Sequence, residues 1–207
     1  MRPGSAWEDD EFLARTAEAG PAFEPGKGWG YSNTGYLLLR QLLDEHGGLA
    51  AFLPRLGLGN ATVAERIGDL DAAVPAPSAQ LLDGVEDVRG VYDPRWVGHR
   101  TLVARVGELV GFWRDLPAEM LDPETFVPIG VDAPGFVRPC YGLGVMADPG
   151  NPLGTIVGHG GGGPGYATAV FAVPHEDAVA IVLAADERYP AQQTALELLT
   201  AAVRRRR

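Results

Sequence analysis

Gly154-Thr155-Ile156-Val157-Gly158-His159-Gly160-Gly161-Gly162-Gly163-Pro164-Gly165-Tyr166-Ala167-Thr168-Ala169-Val170-Phe171-Ala172-Val173 is the stretch that decides the fold. Its two ends are β-branched, aromatic and apolar runs of strand length, and the glycine run between them is a short connection. Short connections join antiparallel neighbours, because a parallel pair needs a long crossover. Working outward, Tyr141 to Ala147, Gly154 to Gly158, Tyr166 to Val173 and Asp177 to Ala185 all read as strands. Asp148-Pro149-Gly150, the glycines and Pro174-His175-Glu176-Asp177 separate them. Ala191 to Val203 then closes the chain as a helix with Leu196, Leu199 and Val203 on one face.

Upstream the pattern is helical. Asp9 to Ala19 reads as a short helix with Phe12, Leu13 and Ala17 on one side. Pro21 to Gly30, with two prolines and three glycines, is a loop. Ser32 or Asn33 can cap a helix from about Thr34 to Glu45, in which Leu38 with Leu42 and Leu39 with Leu43 form apolar pairs one turn apart. Gly47-Gly48 ends it, and Leu49 to Leu56 is a second short helix. Residues 57–137 read as a helical and irregular lobe, with helical spacing over His99 to Leu116. Helices first, then a strand meander and a closing helix, predict an α+β fold: an antiparallel sheet flanked by helices, with a helical lobe, in one domain over 1–207.

Composition narrows the function. The chain of 207 residues has a formal charge of -10 and is 46% hydrophobic, enough to bury a sizeable core. That charge repels phosphate backbones and anionic lipid, so nucleic acid is not an expected partner. No apolar run approaches the roughly 20 residues that span a bilayer, and Met1 to Asp10 has no export-signal pattern. Localisation is left open. Arg204 to Arg207 suit a helix end, where cations are favoured. Cys140 has no partner cysteine and reads as a buried structural thiol. His46, His99, His159 and His175 lack ligand spacing, so neither a metal nor another cofactor is expected.

Two motifs carry chemistry. In Gly30-Tyr31-Ser32-Asn33-Thr34-Gly35, Tyr31 and Asn33 alternate and face alike. A tyrosine becomes a base only beside positive charge or strong donors, since its reference pKa is near ~10. Asn33 can donate to an acyl oxygen and accept from an ammonium. Equally, the pair can be a satisfied phenol and a helix cap. His159 precedes Gly160-Gly161-Gly162-Gly163, where missing side chains let an acyl group approach and free N–H groups face an oxyanion. The plain alternative is a glycine-rich hairpin with an exposed histidine. A phosphate-cradling loop does not fit, because strand pattern and not a Lys-Ser/Thr helix follows.

Phe23-Glu24-Pro25-Gly26 with Trp29-Gly30-Tyr31-Ser32-Asn33-Thr34-Gly35-Tyr36, followed by Tyr141-Gly142-Leu143-Gly144-Val145 and Gly158-His159-Gly160-Gly161, resembles the second and third motif regions of the serine β-lactamase and penicillin-binding-protein-like family. The resemblance runs from about Pro21 to Glu187 and is nearest to class C β-lactamases, D-Ala-D-Ala carboxypeptidases and related esterases. It implies a layered β-lactamase/transpeptidase-like fold and acyl-enzyme hydrolysis of a small-molecule or peptide acyl substrate. It assigns Tyr31 as general base and acid and Asn33 as orienter of the acyl amide. His159 takes the place of the lysine in the third motif, Gly160 and Gly161 continue that motif, and Gly162 lends its N–H to the oxyanion hole.

One departure is large. No Ser-x-x-Lys occurs: the single lysine is Lys27, with Glu24 three residues before it. The nucleophile, its lysine and half of the oxyanion hole have no counterpart, and in the family they precede the Tyr-x-Asn motif. The expectation is an incomplete domain lacking its N-terminal portion, inactive alone, with a strand edge open to pairing with another chain. Two alternatives stand beside it. One is a non-catalytic module that binds peptidoglycan-like peptides or a protein partner. The other is a hydrolase using Ser32 in an elbow-like turn, which would need a strand before it.

Overall fold

The computed structural model describes residues 7–82 and 84–206. The first six residues, Asp83 and Arg207 lie outside it, and with them most of the Met1 to Asp10 stretch and the last of the terminal arginines. The chain divides into two compact units between Arg105 and Val106.

In the first unit, α1 (Asp9–Ala19) has the bounds the sequence predicts, and α2 spans Asn33–Asp44. Ser32 is its cap: the hydroxyl oxygen accepts the Gly35 N–H at 3.1 Å, satisfying one of the amides that a helix start leaves unpaired. Asn33 is therefore the first helical residue and not the cap. The leucines of α2 divide differently from the predicted pairing. Leu37 is fully buried, with the backbone of Gly98 pressed against it so closely that a Cβ there would lie 2.6 Å from the Leu37 Cβ. Leu38, Leu39 and Leu42 are more than half exposed. Arg40 fixes this arrangement, donating to the Gly98 carbonyl at 2.6 Å while pairing with Asp9 of α1 and Asp44 of its own helix. A short α3 (Leu49–Phe52) runs into a 3-10 turn, and β1 (Thr62–Ala64) pairs antiparallel with β2 (Thr101–Val103). The helix predicted over His99 to Leu116 is thus a strand at its start and the helix α4 (Val106–Arg114) at its end. Thr101 and Val103 are β-branched, and their ladder to Val63 and its neighbours outweighs the apolar spacing.

The second unit is a six-stranded antiparallel sheet in sequential order, covered by helices. Its strands are β3 (Val127–Pro128), β4 (Cys140–Tyr141), β5 (Met146–Asp148), β6 (Ile156–Gly163), β7 (Tyr166–Val173) and β8 (Ala178–Ala184). A short α5 (Ala118–Leu121) precedes them and α6 (Ala191–Arg206) follows. Alternation along β7 sends Ala169, Phe171 and Val173 to α6, where Ala195, Leu199 and Val203 wait, while Ala172 joins Val157, Ala147 and Cys140 against Trp113 of α4. Both faces are apolar, which is why the strands read as continuous hydrophobic runs. Cys140 is buried, as predicted.

Two predicted boundaries change. Tyr141 to Ala147 is not one strand but a hairpin: the Gly142 N–H donates to the Val145 carbonyl at 2.8 Å, and Gly144 takes φ 76°, a left-handed conformation that glycine adopts freely. The glycine run is not a connector but the second half of β6, paired residue by residue with β7. The true turn is Pro164-Gly165, pinned by the Gly165 N–H donating to Glu187 Oε2 at 3.0 Å.

Candidate functional site

The predicted residues fall into two groups, one in each unit. Tyr31 and Asn33 flank the Ser32 cap at the start of α2. That start is held to α1 by the Thr16 and Thr34 hydroxyls, 3.2 Å apart. The half-exposed Tyr31 ring lies 5.5 Å from Tyr36, which meets His99 edge-on at 5.8 Å. Partial burial, and then the neighbouring Tyr36, push the Tyr31 phenol above the ordinary tyrosine range. Both influences oppose ionisation, the reverse of what a base requires. The phenolate absorbance missing from Tyr31→Phe is therefore expected to develop only above pH ~10. Since the folded state holds this proton more tightly than the unfolded chain, the contribution to stability is undiminished below that pH and falls above it. A Tyr31 difference band at neutral pH would contradict this.

Ser32 does not occupy an elbow. Its hydroxyl is engaged as a cap, and no strand precedes it among the described residues of the loop.

His159 and Gly160 to Gly162 lie together on β6. The ladders of this strand are unequal: β7 pairs with Val157 through Gly163, but β5 pairs only with Ile156 through Gly158. From His159 onward, no strand among the described residues pairs with β6 on its β5 side. The glycines here leave room as well as an edge. A Cβ at Gly162 or Gly163 would meet nothing closer than 4.0 Å, whereas one at Gly161 would lie 2.5 Å from Thr168 Oγ1. A cavity of about 610 Å³ opens beside them, lined in part by Gly160, Gly161, Gly162, Thr168, Tyr189 and Gln192. A half-paired, glycine-lined strand edge over such a cavity can accept an extended acyl or peptide group through backbone hydrogen bonds.

The histidine itself is not simply an exposed side chain. His159 Nδ1 contacts the Gly160 carbonyl at 2.5 Å, and a carbonyl can only accept, so Nδ1 carries the proton. In the neutral ring Nε2 is then an acceptor, and the Tyr141 hydroxyl donates to it at 2.8 Å. Tyr141 is the residue that sequence reasoning missed as a participant. It stands in the quoted Tyr-Gly-Leu-Gly motif, but its contact with His159 depends on the β4–β5 hairpin.

Residues 1–204 match the model of the family described as Beta-lactamase. The chain belongs to the beta-lactamase family. Solved structures agree on the fold. A D-stereospecific amidohydrolase from Streptomyces sp. superposes with a TM-score of 0.75 at 23% identity, over 94% of this chain and 61% of that one. The D-amino acid amidase from Ochrobactrum anthropi SV3, complexed with L-phenylalanine, gives 0.75 at 18% identity over 100% and 66%. The octameric penicillin-binding protein homologue from Pyrococcus abyssi gives 0.68 at 22% over 93% and 47%. The chain thus spans between about half and two thirds of these relatives' lengths. No curated protein matches it.

Proposed function

We propose that this family member carries the acyl-recognition part of a serine-hydrolase site and binds acyl amides and esters without forming a seryl acyl-enzyme. The observation that supports this most is the half-open edge of β6, with room beside Gly162 and Gly163 and a cavity alongside. In this reading an extended substrate pairs with the edge, and the Gly162 N–H points at the acyl oxygen, where a donor stabilises developing negative charge. His159 orients the acyl end.

The substrate class follows from the relatives. One is named a D-stereospecific amidohydrolase, one a D-amino acid amidase and the third a penicillin-binding protein homologue. We extend that class, D-amino-acid amides and D-residue peptides, to this chain. Seryl chemistry is another matter, since its 207 residues contain no Ser-x-x-Lys. Loss of the nucleophile alone removes nearly all of a triad enzyme's rate, leaving what binding and polarisation provide.

The test is intact-mass spectrometry of the purified chain after incubation with a penicillin and a chromogenic cephalosporin. No seryl adduct and no turnover above the buffer rate are expected. A β-lactam adduct on any serine would overturn the proposal, and one on Ser32 would identify Ser32 as a nucleophile despite its role as a cap.

A further inference from the structure

Tyr141, His159 and the Gly160 carbonyl form a row with the order of a nucleophile, a base and the group that orients the base. The strand ladder holds them there: Tyr141 pairs with Met146, and Met146 pairs with Gly158, the residue before His159. The phenol meets the imidazole edge-on, with ring centres 5.7 Å apart at 90°. Nδ1–H is spent on the Gly160 carbonyl at 2.5 Å, which fixes the tautomer and turns the basic Nε2 to the Tyr141 oxygen at 2.8 Å. That distance is within the reach over which a general base takes a proton from an attacking hydroxyl. Both side chains are partly exposed. The cavity beside β6 is lined by Met146 and by Gly160, the immediate neighbours of the pair.

We propose that Tyr141 is a nucleophile, with His159 as its base, for acyl groups carried on good leaving groups. As Tyr141 Oη bonds to the acyl carbon, its proton passes to His159 Nε2; the ester C–O bond breaks and the departing aryloxide recovers that proton. In the second half water gives a proton to Nε2 while its oxygen adds to the acyl carbon, and the Tyr141 oxygen leaves and retakes the proton. The net change is ester plus water to acid plus phenol.

The substrate class is set by chemistry. An acyl-tyrosine is itself an aryl ester, so transfer to Tyr141 runs downhill only from leaving groups as acidic as a phenol, near ~10, or more so. Aryl esters meet this condition. Alkyl esters and amides, including those of the β6-edge reading, do not. The inference therefore goes beyond that reading and does not depend on it.

The experiment uses p-nitrophenyl acetate and the full chain at neutral pH. A burst of one equivalent of nitrophenolate is expected, followed by slower turnover, with peptide mapping placing one acetyl group on Tyr141. Tyr141→Phe is expected to abolish the adduct and the burst. His159→Gln can hold the phenol but cannot take its proton, so acylation should slow by about 100-fold. No adduct at Tyr141, an unchanged burst in Tyr141→Phe, or an unchanged rate in His159→Gln would each overturn the proposal. Because the wild-type adduct is located without any variant, a variant that fails to fold does not shield it.

Discussion

Gly158→Ala is expected to destabilise the second unit by about 3 kcal/mol or more, while Gly163→Ala, five residues along the same strand, is expected to stay within about 1 kcal/mol of the parent. Neither glycine needs a left-handed backbone, so the difference is one of space. A Cβ at Gly158 would lie 2.1 Å from the Val170 carbonyl oxygen, 2.3 Å from Phe171 Cδ1 and 2.8 Å from the Phe171 Cα. Two of these three atoms are backbone of β7, so relief requires the β6–β7 ladder itself to part. Phe171 is fully buried against α6 and cannot swing clear. At Gly163 an added Cβ meets nothing within 4 Å. Alanine also relieves some of the entropy that glycine costs a strand. The paired variants are read by urea midpoint. Equal midpoints would mean that the close approach at Gly158 is not a feature of the fold.

The second large effect belongs to Asp148. Its carboxylate is wholly buried at the end of β5 and accepts four N–H groups: Val137 at 2.8 Å, Arg138 at 2.9 Å, Gly150 at 3.2 Å and Asn151 Nδ2 at 2.9 Å. One side chain thereby ties the segment before β4 to the turn after β5. Asp148→Ala strands those donors, and each buried donor left unmade costs roughly 1–3 kcal/mol. With partial rescue by water the expected loss is about 3–5 kcal/mol, a large share of the 5–15 kcal/mol that typical domains possess. Asp148→Asn, which keeps one carbonyl acceptor but turns an NH2 toward the remaining donors, should fall between alanine and the parent. A melting temperature unmoved by the alanine variant would show that the turn is held by something else.

These two residues mark where sequence reading stopped. The α1 helix and the closing α6 helix were legible because caps, prolines and apolar spacing act locally, as were the apolar cores of β7 and β8. The glycine half of β6 was not. Glycine has low strand propensity, and only the β7 register opposite, Val170 at His159 and Thr168 at Gly161, makes a strand of it. The Tyr141–Val145 hairpin was hidden for a related reason: Gly142 and Gly144 interrupt a run whose ends alone look extended. In α2, the leucine pairs at one-turn spacing pointed to a buried face. The packing of Gly98 on Leu37 instead gives burial to the one leucine outside those pairs.

The candidate site could be proposed from residue types, but the relations among those residues could not. Tyr31, Asn33, His159 and Gly160 to Gly162 could be named from motif chemistry. That Ser32 and not Asn33 caps α2 required the Gly35 contact, and that His159 is committed to one tautomer required the Gly160 carbonyl and a tyrosine from another strand. The raised Tyr31 phenol was likewise invisible, since it depends on burial and on Tyr36, five residues along the chain.

Backbone-amide NMR during titration with D-phenylalaninamide, with the L enantiomer as control, tests most directly whether the glycine edge of β6 holds an acyl ligand. Saturable shifts at Gly160, Gly161 and Gly162, larger for the D form, are the predicted result. Saturable shifts that spare these three amides, or none at millimolar ligand, would contradict it.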